Sequence, residues 1–342
     1  YGLYAANRSF LPSEHILTVT DLDGRLMALK PDLTLGIAKN TKAGRDFCEK
    51  VYYIESVYRE SKESHTYKEI SQMGLECMGG VDGFVITEVV GLAVQTLAAF
   101  GQDYVLKLSG MDFVAGLLEE LGVGRRAKRQ LLEALRAKNR SGLEAACEEA
   151  GLGERESERV LALLSLYGDF RTVIAQAGTI ADSPAMKEAL ERLSLVCEAL
   201  KADGLGERIR LDFTMIQDME YYNGIIFQGY LDGLARHVLS GGQYDGMMAK
   251  LKKPESAIGF ALYLDEFNWL PERRAEYDLE ALVLYDGTAD PALLGRAVKE
   301  LRGKGLRVRV ERAVPGELRF GQIFRFRDGA LQAEDGKGAR TC

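Results

Sequence analysis

The sequence predicts an α+β protein: an antiparallel sheet flanked by helices, interrupted by a helical insertion and followed by a small α/β unit. In residues 1–109 extended segments alternate with turn residues, and the same pattern returns in 205–272. Residues 110–204 are instead rich in Leu, Ala and Glu, with several helical periods and little strand signal. In 273–342 a strand, a helix and a strand follow one another, which is typical of an α/β unit. We therefore expect four segments with these limits.

The first segment is predicted to contain two hairpins and a helix. Residues 21–25, Asp-Leu-Asp-Gly-Arg, carry the Asp-Gly signal of a short hairpin. Residues 51–59 and 69–78 are extended and enclose a polar loop, which predicts a long antiparallel hairpin. From 82 to 100, apolar residues recur at three- and four-residue spacing before Gly101, so we expect a helix that packs on the sheet.

The insertion is predicted to end in a long helix, after which the sheet resumes. Ser183 and Pro184 provide a helix start, with proline at the first helical position, and an apolar stripe follows until Gly204. Extended segments at 208–213 and 221–230 then continue the pattern of the first segment. The two halves of the sheet are therefore expected to join across the insertion.

The last segment is predicted to be an appendage with its own strands. A strand at 279–285, a helix at 291–303 and a strand at 306–310 precede a short hairpin at 327–329, which contains Asp-Gly. The polar, glycine-containing end, 334–342, is expected to be disordered.

Composition narrows the function classes. A net charge of −7 over 342 residues argues against a protein whose main function is nucleic-acid binding. The basic run at 125–129 is interpreted as a solvated helix face rather than as an RNA-binding patch. Five cysteines without any C-x-x-C pair predict neither a zinc site nor a disulfide framework, and we expect no metal and no cofactor. With no membrane span and no signal peptide, a cytoplasmic location is expected.

Polar residues interrupt several extended, apolar segments, and buried polar groups need partners. Gln72, Gly74 and Glu76 share one strand face by period two, which is suited to the floor of a pocket; the alternative is that Glu76 lies on a solvated sheet face. The glycine run at 241–246 is interpreted as a tight turn, or as a turn that lets Tyr244 approach a ligand.

Five segments, in this order and spacing, resemble histidyl-tRNA synthetase-like proteins, which have the class II aminoacyl-tRNA synthetase fold. The resemblance extends from the first residues to about Leu270. The segments are ALKPDLT at 28–34, VYR at 57–59 with EISQMGLE at 69–76, MEYYNG at 219–224, SGGQYDG at 240–246, and AIGFAL at 257–262.

The resemblance implies a histidine pocket. Its predicted histidine-binding residues are Asp32, Thr34, Arg59, Gln72, Glu76, Tyr221, Tyr222 and Tyr244. Among them, Asp32, Thr34 and Gln72 would hold the α-amino group, while Glu76 and Tyr222 would bind the imidazole and the phenol of Tyr244 would close the wall. A carboxylate and a phenol together can satisfy both ring nitrogens, which disfavours apolar analogues.

The chain departs from the family where an activating enzyme needs positive charge. Gln217 stands where the family has the arginine of its second histidine motif, and Glu266 stands where motif 3 has its ATP-binding arginine. Arg59 of motif 2 is retained, but the loop after it lacks an arginine-rich pattern, and His65 in that loop is interpreted as a solvated residue. Because guanidinium groups stabilise phosphate and developing negative charge, adenylation is expected to be disabled.

A histidine pocket without activation chemistry is the pattern of the regulatory subunits of ATP phosphoribosyltransferase. The resemblance implies that the chain binds L-histidine for feedback control and activates a short-form catalytic subunit, as a homodimer within a hetero-oligomer, without binding tRNA. The alternatives are a divergent histidine-tRNA ligase, or a free-standing sensor of histidine or uncharged tRNA. Because motif 1 should precede Tyr1, we expect the chain to lack an N-terminal segment, and the part from Asp278 onward resembles a shortened anticodon-binding domain.

Overall fold

The computed structural model describes residues 1–11, 16–44, 47–61, 66–219, 221–253, 256–270, 277–316 and 318–334. The chain forms two compact units, Tyr1–Leu270 and Pro271–Cys342. None of the helices in the described ranges is long and apolar enough to cross a bilayer.

The first unit contains ten α-helices within the described residues, and the second contains one. The helices are α1 Gly2–Ala6, α2 Thr34–Asn40, α3 Gly83–Ala98, α4 Met111–Glu120, α5 Arg125–Arg136, α6 Arg140–Glu149, α7 Glu154–Ala162, α8 Phe170–Gly178, α9 Pro184–Ala202, α10 Asp245–Lys250 and α11 Pro291–Gly303. The strands of the first unit are β1 Thr18–Thr20, β2 Leu26–Ala28, β3 Glu49–Ser61, β4 Thr66–Gly79, β5 Tyr104–Gly110, β6 Tyr167–Gly168, β7 Ile209–Asp212, β8 Ile225–Leu231, β9 Leu239–Gln243 and β10 Ser256–Tyr263. Those of the second unit are β11 Leu279–Leu284, β12 Val308–Glu311, β13 Phe320–Arg327 and β14 Ala330–Ala333.

The main sheet confirms the predicted antiparallel core. Over the described residues its order is β3-β4-β10-β9-β8-β5-β7-β6, and each neighbouring pair is antiparallel except β5 with β7. The predicted long hairpin is β3 with β4, and its strands extend further than expected, pairing from Glu49 with Met78 to Ser61 with Thr66. Residues 62–65, and with them the interpretation of His65, lie outside the described residues. The predicted short hairpin is β1 with β2.

The helix starts and stops follow the predicted signals. The Asp82 carboxylate accepts a hydrogen bond from the Val85 amide at 2.9 Å and so caps α3, and Gly101 lies beyond its end with φ +62°. The Ser183 hydroxyl accepts from the Met186 amide at 3.3 Å at the start of α9. The apolar stripe of α9 is buried, and one hydrophobic core includes side chains from both the sheet and the insertion helices. These helices therefore share a hydrophobic core with the sheet.

Two interpretations of the region after the insertion are wrong. The glycine run at 241–246 does not begin a turn, because Gly241 lies inside the central strand β9. A Cβ atom at position 241 would lie 2.4 Å from the Gly259 carbonyl oxygen, so glycine is needed there for close packing of the strands. The strand expected at 221–230 begins only at Ile225, because Tyr221 closes a turn onto the Asp218 carbonyl, 3.1 Å from its amide.

The second unit agrees with the predicted α/β pattern. Strand β11 is central, parallel to both β12 and β13, and β14 pairs antiparallel with β13. The Asp290 carboxylate caps α11 through the Ala292 amide at 2.7 Å, and Asp328 and Gly329 turn the last hairpin with φ of +51° and +80°. Of the tail predicted to be disordered, Glu334 is described and bonds to β13, and 335–342 lie outside the described residues.

Candidate functional site

A cavity of about 220 Å³ opens on the polar face of the main sheet. It is smaller than the roughly 300–1,000 Å³ of pockets that take drug-sized ligands, so it suits a small polar molecule. All the predicted site residues line it: Asp32, Thr34, Arg59, Gln72, Glu76, Tyr221, Tyr222 and Tyr244. The fold thus brings together side chains that are separated by up to 212 positions in the chain.

Strand β4 provides the floor of the cavity. Gln72, Gly74 and Glu76 are all buried on one face, as the period-two pattern predicts. The Tyr53 ring of β3 packs over Gly74. A Cβ atom on residue 74 would lie 2.4 Å from the Tyr53 hydroxyl oxygen. The missing side chain at position 74 therefore makes room for a tyrosine between the amide and the carboxylate.

Two more glycines bring neighbouring strands against the functional side chains. A Cβ atom on Gly259 of β10 would lie 1.9 Å from Glu76 Oε2, and one on Gly242 of β9 would lie 2.9 Å from Tyr222 Cδ1. Any larger residue would displace the carboxylate or the ring. The glycines at these positions are therefore part of the site, through the space that they leave open.

Glu76 lies at the deep end of the cavity with its two oxygens held by hydroxyl donors. Thr34 Oγ1 donates to Glu76 Oε1 and the Tyr244 hydroxyl donates to Oε2, each at 2.6 Å. Burial raises the pKa of the Glu76 carboxyl to about 7; Asp32 adds to the rise and the two hydroxyl donors oppose it. Glu76 can therefore hold or release a proton near neutral pH. Tyr244 thus orients this carboxylate and also lines the cavity.

Asp32 and Arg59 form a loose pair of opposite charges near the mouth. Asp32 stands just before α2, where its carboxylate accepts from the Leu35 amide at 2.7 Å. Arg59 Nε donates to the Pro31 carbonyl at 2.7 Å, and its guanidinium nitrogen lies 3.9 Å from Asp32 Oδ2. Burial raises the pKa of Asp32, against the opposing effects of the Leu35 amide and Arg59. At 3.9 Å the pair is not hydrogen-bonded, so both groups keep capacity for a ligand.

Three tyrosines form the roof. The Tyr221 ring lies 4.5 Å from that of Tyr222, 5.9 Å from that of Tyr244 and 6.1 Å from that of Phe10, measured between centroids. Burial raises the pKa of all three phenols above its usual value. They therefore remain neutral at physiological pH and act as hydrogen-bond donors or acceptors.

Two amides complete the polar lining. Gln72 is 3% exposed, and its side chain makes no hydrogen bond with another residue in the described part of the chain. Its amide faces the cavity and is thus available to a ligand. Gln217, at the position of the family's arginine, lines the same cavity and donates to the Ser240 hydroxyl at 3.1 Å.

A second cavity of about 970 Å³ adjoins the first and shares Arg59 and Tyr263 with it. Glu266, at the other position where the family has an arginine, lines this second cavity in the short 3-10 helix Leu264–Trp269. Its described charged lining residues are Arg59, Glu60, Lys68, Glu69, Arg236, Asp265 and Glu266. Four carboxylates against three cations make it a poor site for a polyphosphate.

Sequence reasoning missed several lining residues, among them Tyr53, Ser240 and Tyr263. Tyr53 pairs with Gly74, and Tyr263 pairs with Gln72. Each belongs to the polar face once the register is known, but a register is a property of two strands and cannot be taken from one.

Comparison with known proteins identifies the family of this chain. The histidyl-tRNA synthetase family model matches residues 7–267. An ATP phosphoribosyltransferase regulatory subunit from Symbiobacterium thermophilum is 32% identical over 307 residues, covering 87% of this chain and 76% of the relative. One from Moorella thermoacetica is 35% identical over 295 residues, covering 84% and 75%.

Two solved structures share the fold. An ATP phosphoribosyltransferase regulatory subunit/histidyl-tRNA synthetase from Bacillus halodurans aligns with TM-score 0.70 and 24% identity, covering 90% of this chain and 81% of that one. A chain of the ATP phosphoribosyl transferase (HisG:HisZ) complex from Thermotoga maritima aligns with TM-score 0.59 and 20% identity, covering 72% and 85%. The chain therefore belongs to the histidyl-tRNA synthetase family and, within it, to the ATP phosphoribosyltransferase regulatory subunits.

Proposed function

We propose that this chain binds L-histidine in the 220 Å³ cavity and thereby regulates a short-form ATP phosphoribosyltransferase catalytic subunit, without aminoacylating tRNA. The observation that carries the proposal is the convergence of three carboxylates, one guanidinium, an amide open to the cavity and neutral phenols around one small space; of the carboxylates, Asp32 and Glu76 are buried and Asp218 is exposed. Such a set matches the charges and donors of an amino acid with an imidazole ring.

The mouth of the cavity is suited to the charged end of an amino acid. An ammonium group beside Asp32 and Gln72 would satisfy a buried carboxylate and an unpaired amide oxygen. Arg59, 3.9 Å from Asp32, is placed to receive the carboxylate of the same molecule. The two charges of the wall are therefore spaced like the two charges of a zwitterion.

The deep end is suited to the ring. Glu76 and the phenol of Tyr222 would contact the two ring nitrogens, one as acceptor and the other as donor or acceptor. An apolar analogue would offer this carboxylate no donor beyond the hydroxyls of Thr34 and Tyr244, and would displace water from polar groups without replacing its hydrogen bonds, so such analogues are disfavoured. The site is thus expected to select histidine over leucine or phenylalanine.

Activation of histidine is disfavoured by the residues that replace arginines. Gln217 offers a neutral amide that is already bonded to Ser240, and Glu266 adds a carboxylate to the second cavity, where a nucleotide would place its phosphates. Both replacements remove positive charge from places where a phosphoryl-transfer transition state needs it. The regulatory function is therefore favoured over a divergent ligase.

The expected partner is the short-form catalytic subunit, in a hetero-oligomer that contains a homodimer of this chain. Similarity to the relatives above and to a chain of the Thermotoga maritima complex supports a catalytic partner, and the homodimer is part of the proposal. Feedback control would follow if the inhibited assembly binds histidine more tightly than the active one, because binding then shifts the equilibrium between them.

Calorimetric titration tests the proposal. We expect histidine to bind, ATP not to bind, and pyrophosphate exchange to be absent, whereas Asp32→Asn, which keeps the shape of the side chain, should lower histidine affinity. Addition of the catalytic subunit should then give an enzyme that histidine inhibits. ATP binding with pyrophosphate exchange would refute the proposal in favour of a ligase, and an absence of histidine binding would refute the assignment of the cavity.

A further inference from the structure

A groove of about 950 Å³ lies between the N-terminal half of α3 and the C-terminal half of α9, and it has no lining residue in common with the two cavities described above. Its lining includes two large apolar side chains that are mostly exposed, Phe84 at 74% and Leu195 at 65%. Ile86, Val196 and Ile225, all buried, form its apolar floor. An exposed leucine and phenylalanine over an apolar floor are typical of an interaction surface.

The groove carries negative charge. Its charged lining residues in the described part of the chain are Asp82, Asp112, Asp203, Asp245 and Arg192. Arg192 is bonded to Asp112 at 2.6 Å, so the remaining three carboxylates have no cation within the groove lining. A segment that fills the groove must therefore combine apolar side chains with positive charge.

The groove shares its wall with the 220 Å³ cavity. Tyr222 and Tyr244 line the cavity, and the residues that follow each of them, Asn223 and Asp245, line the groove. The Asp245 amide donates to Asn223 Oδ1 at 2.8 Å and Asn223 Nδ2 donates to Asp245 Oδ2 at 3.2 Å. The segments 222–223 and 244–245 are thus bonded to each other, and each has one residue in the cavity lining and one in the groove lining.

This shared wall is tightly packed. The Gln243 side chain accepts from the Ile225 amide at 2.8 Å, and a Cβ atom on Gly224 would lie 2.2 Å from Gln243 Oε1. A shift of either tyrosine toward a ligand cannot be absorbed within the wall, and it changes the shape of the groove.

We propose that the groove between α3 and α9 seats an apolar, basic segment of the catalytic partner, and that the Asn223–Asp245 wall transmits histidine occupancy to that segment. The inference rests on the proposed function and adds the surface through which regulation acts. By linkage, histidine should change the affinity for the partner by the same factor as the partner changes the affinity for histidine.

Paired leucine variants test the surface. Leu195→Glu should weaken association with the short-form catalytic subunit by at least about tenfold, as expected for an apolar contact at an interface centre. Leu22→Glu makes the same change at the exposed turn of the β1–β2 hairpin and should leave association unchanged. Histidine titration of both variants shows that the cavity, and hence the fold, is intact.

The charge is tested by Asp203→Lys. Asp203 is at the C-terminus of α9, where a positive charge is favourable to the helix dipole, so the variant should unfold at the same or a higher temperature. It should nevertheless bind the catalytic subunit several-fold more weakly, and the difference should shrink as salt is raised. A loss of stability could not produce this combination.

The outcomes separate the two proposals. If the unmodified chain does not bind the catalytic subunit, the proposed function fails, and this inference fails with it. If the unmodified chain binds and Leu195→Glu binds equally well, the groove is not the docking surface although the function stands. If Leu195→Glu instead disrupts self-association, the occupant of the groove is a second copy of this chain and the inference is overturned.

Discussion

Replacement of Glu76 by Gln is expected to remove a pH-dependent cost from the folding of this protein. The carboxyl is 3% exposed and accepts only hydroxyl donors from Thr34 and Tyr244. Because burial raises its pKa to about 7 from the ordinary 4.5, the folded protein keeps a proton between these values that the unfolded chain has released. Its free energy of unfolding therefore falls as pH rises through this window, and levels off above it.

The size of the effect follows from the same two values. At about 1.4 kcal/mol for each pH unit, the pKa difference corresponds to about 3 kcal/mol. A glutamine cannot ionise, so the Glu76→Gln variant lacks this contribution. The other buried carboxyl of the cavity, Asp32, is present in both proteins and cancels to first order in their difference.

Urea denaturation at pH 5 and pH 8 measures the effect. Relative to Glu76→Gln, the unmodified chain should lose about 2.5 kcal/mol of unfolding free energy between these two conditions, slightly less than the full effect because pH 5 already lies inside the window. Glu119→Gln, at an exposed position of α4, is the matched control and should follow the unmodified chain within about 0.5 kcal/mol. Parallel pH profiles for the unmodified chain and Glu76→Gln would refute the argument that burial keeps this carboxyl protonated.

Three further predictions address affinity and stability. In calorimetry, Asp32→Asn should weaken histidine binding by about ten- to a hundredfold, since a hydrogen bond to a charged group contributes about 1.5–3 kcal/mol. Free imidazole lacks the ammonium group, so it should bind equally to the variant and to the unmodified chain. Gly259→Ala would place a methyl group 1.9 Å from the buried Glu76 Oε2 and should lower the unfolding free energy, measured by denaturant titration, by about 1–3 kcal/mol. The control Gly287→Ala, where a Cβ atom meets nothing within 4 Å, should leave the unfolding free energy unchanged. Arg159→Met removes a bidentate pair with Glu120 at 2.7 and 3.2 Å and should cost about 2 kcal/mol; an unchanged melting temperature would show that the pair contributes nothing.

The identity of most elements was predictable because their signals are local. The helix starts at Asp82, Ser183 and Asp290 depend on side chains that cap amides two or three residues further along, and such bonds need no distant partner. The same holds for the Asp-Gly turn of the last hairpin. These features are encoded within a few residues, so the pattern alone was sufficient.

The composition of the candidate site was also predictable, but through resemblance more than through physics. Period two placed Gln72 and Glu76 on one strand face, and the rest of the set followed from segments shared with a known family. The structure shows these side chains around one cavity. Their role in binding histidine stays a proposal, for which calorimetry is the test.

Local pattern failed where two distant strands had to meet. Gly241 and Gly242 resembled a turn because glycine is typical of turns, yet they lie in β9, where neighbouring backbones and rings leave no room for a Cβ atom. Tyr53 and Tyr263 were missed because only the pairing of their strands turns them toward Gly74 and Gln72. Register and close approach depend on two segments at once.

The sequence by itself determined where several helices begin and where most strands of the first hairpins and of the last unit lie, and the resemblance showed that Gln217 and Glu266 stand at two arginine positions of an activating enzyme. Only the tertiary structure decided that Glu76 is buried without a cation beside it, and hence that its carboxyl titrates near neutral pH. The physical reason is that a residue type sets the charge a side chain can carry, whereas the surrounding atoms, gathered from distant parts of the chain, set the free energy of carrying it.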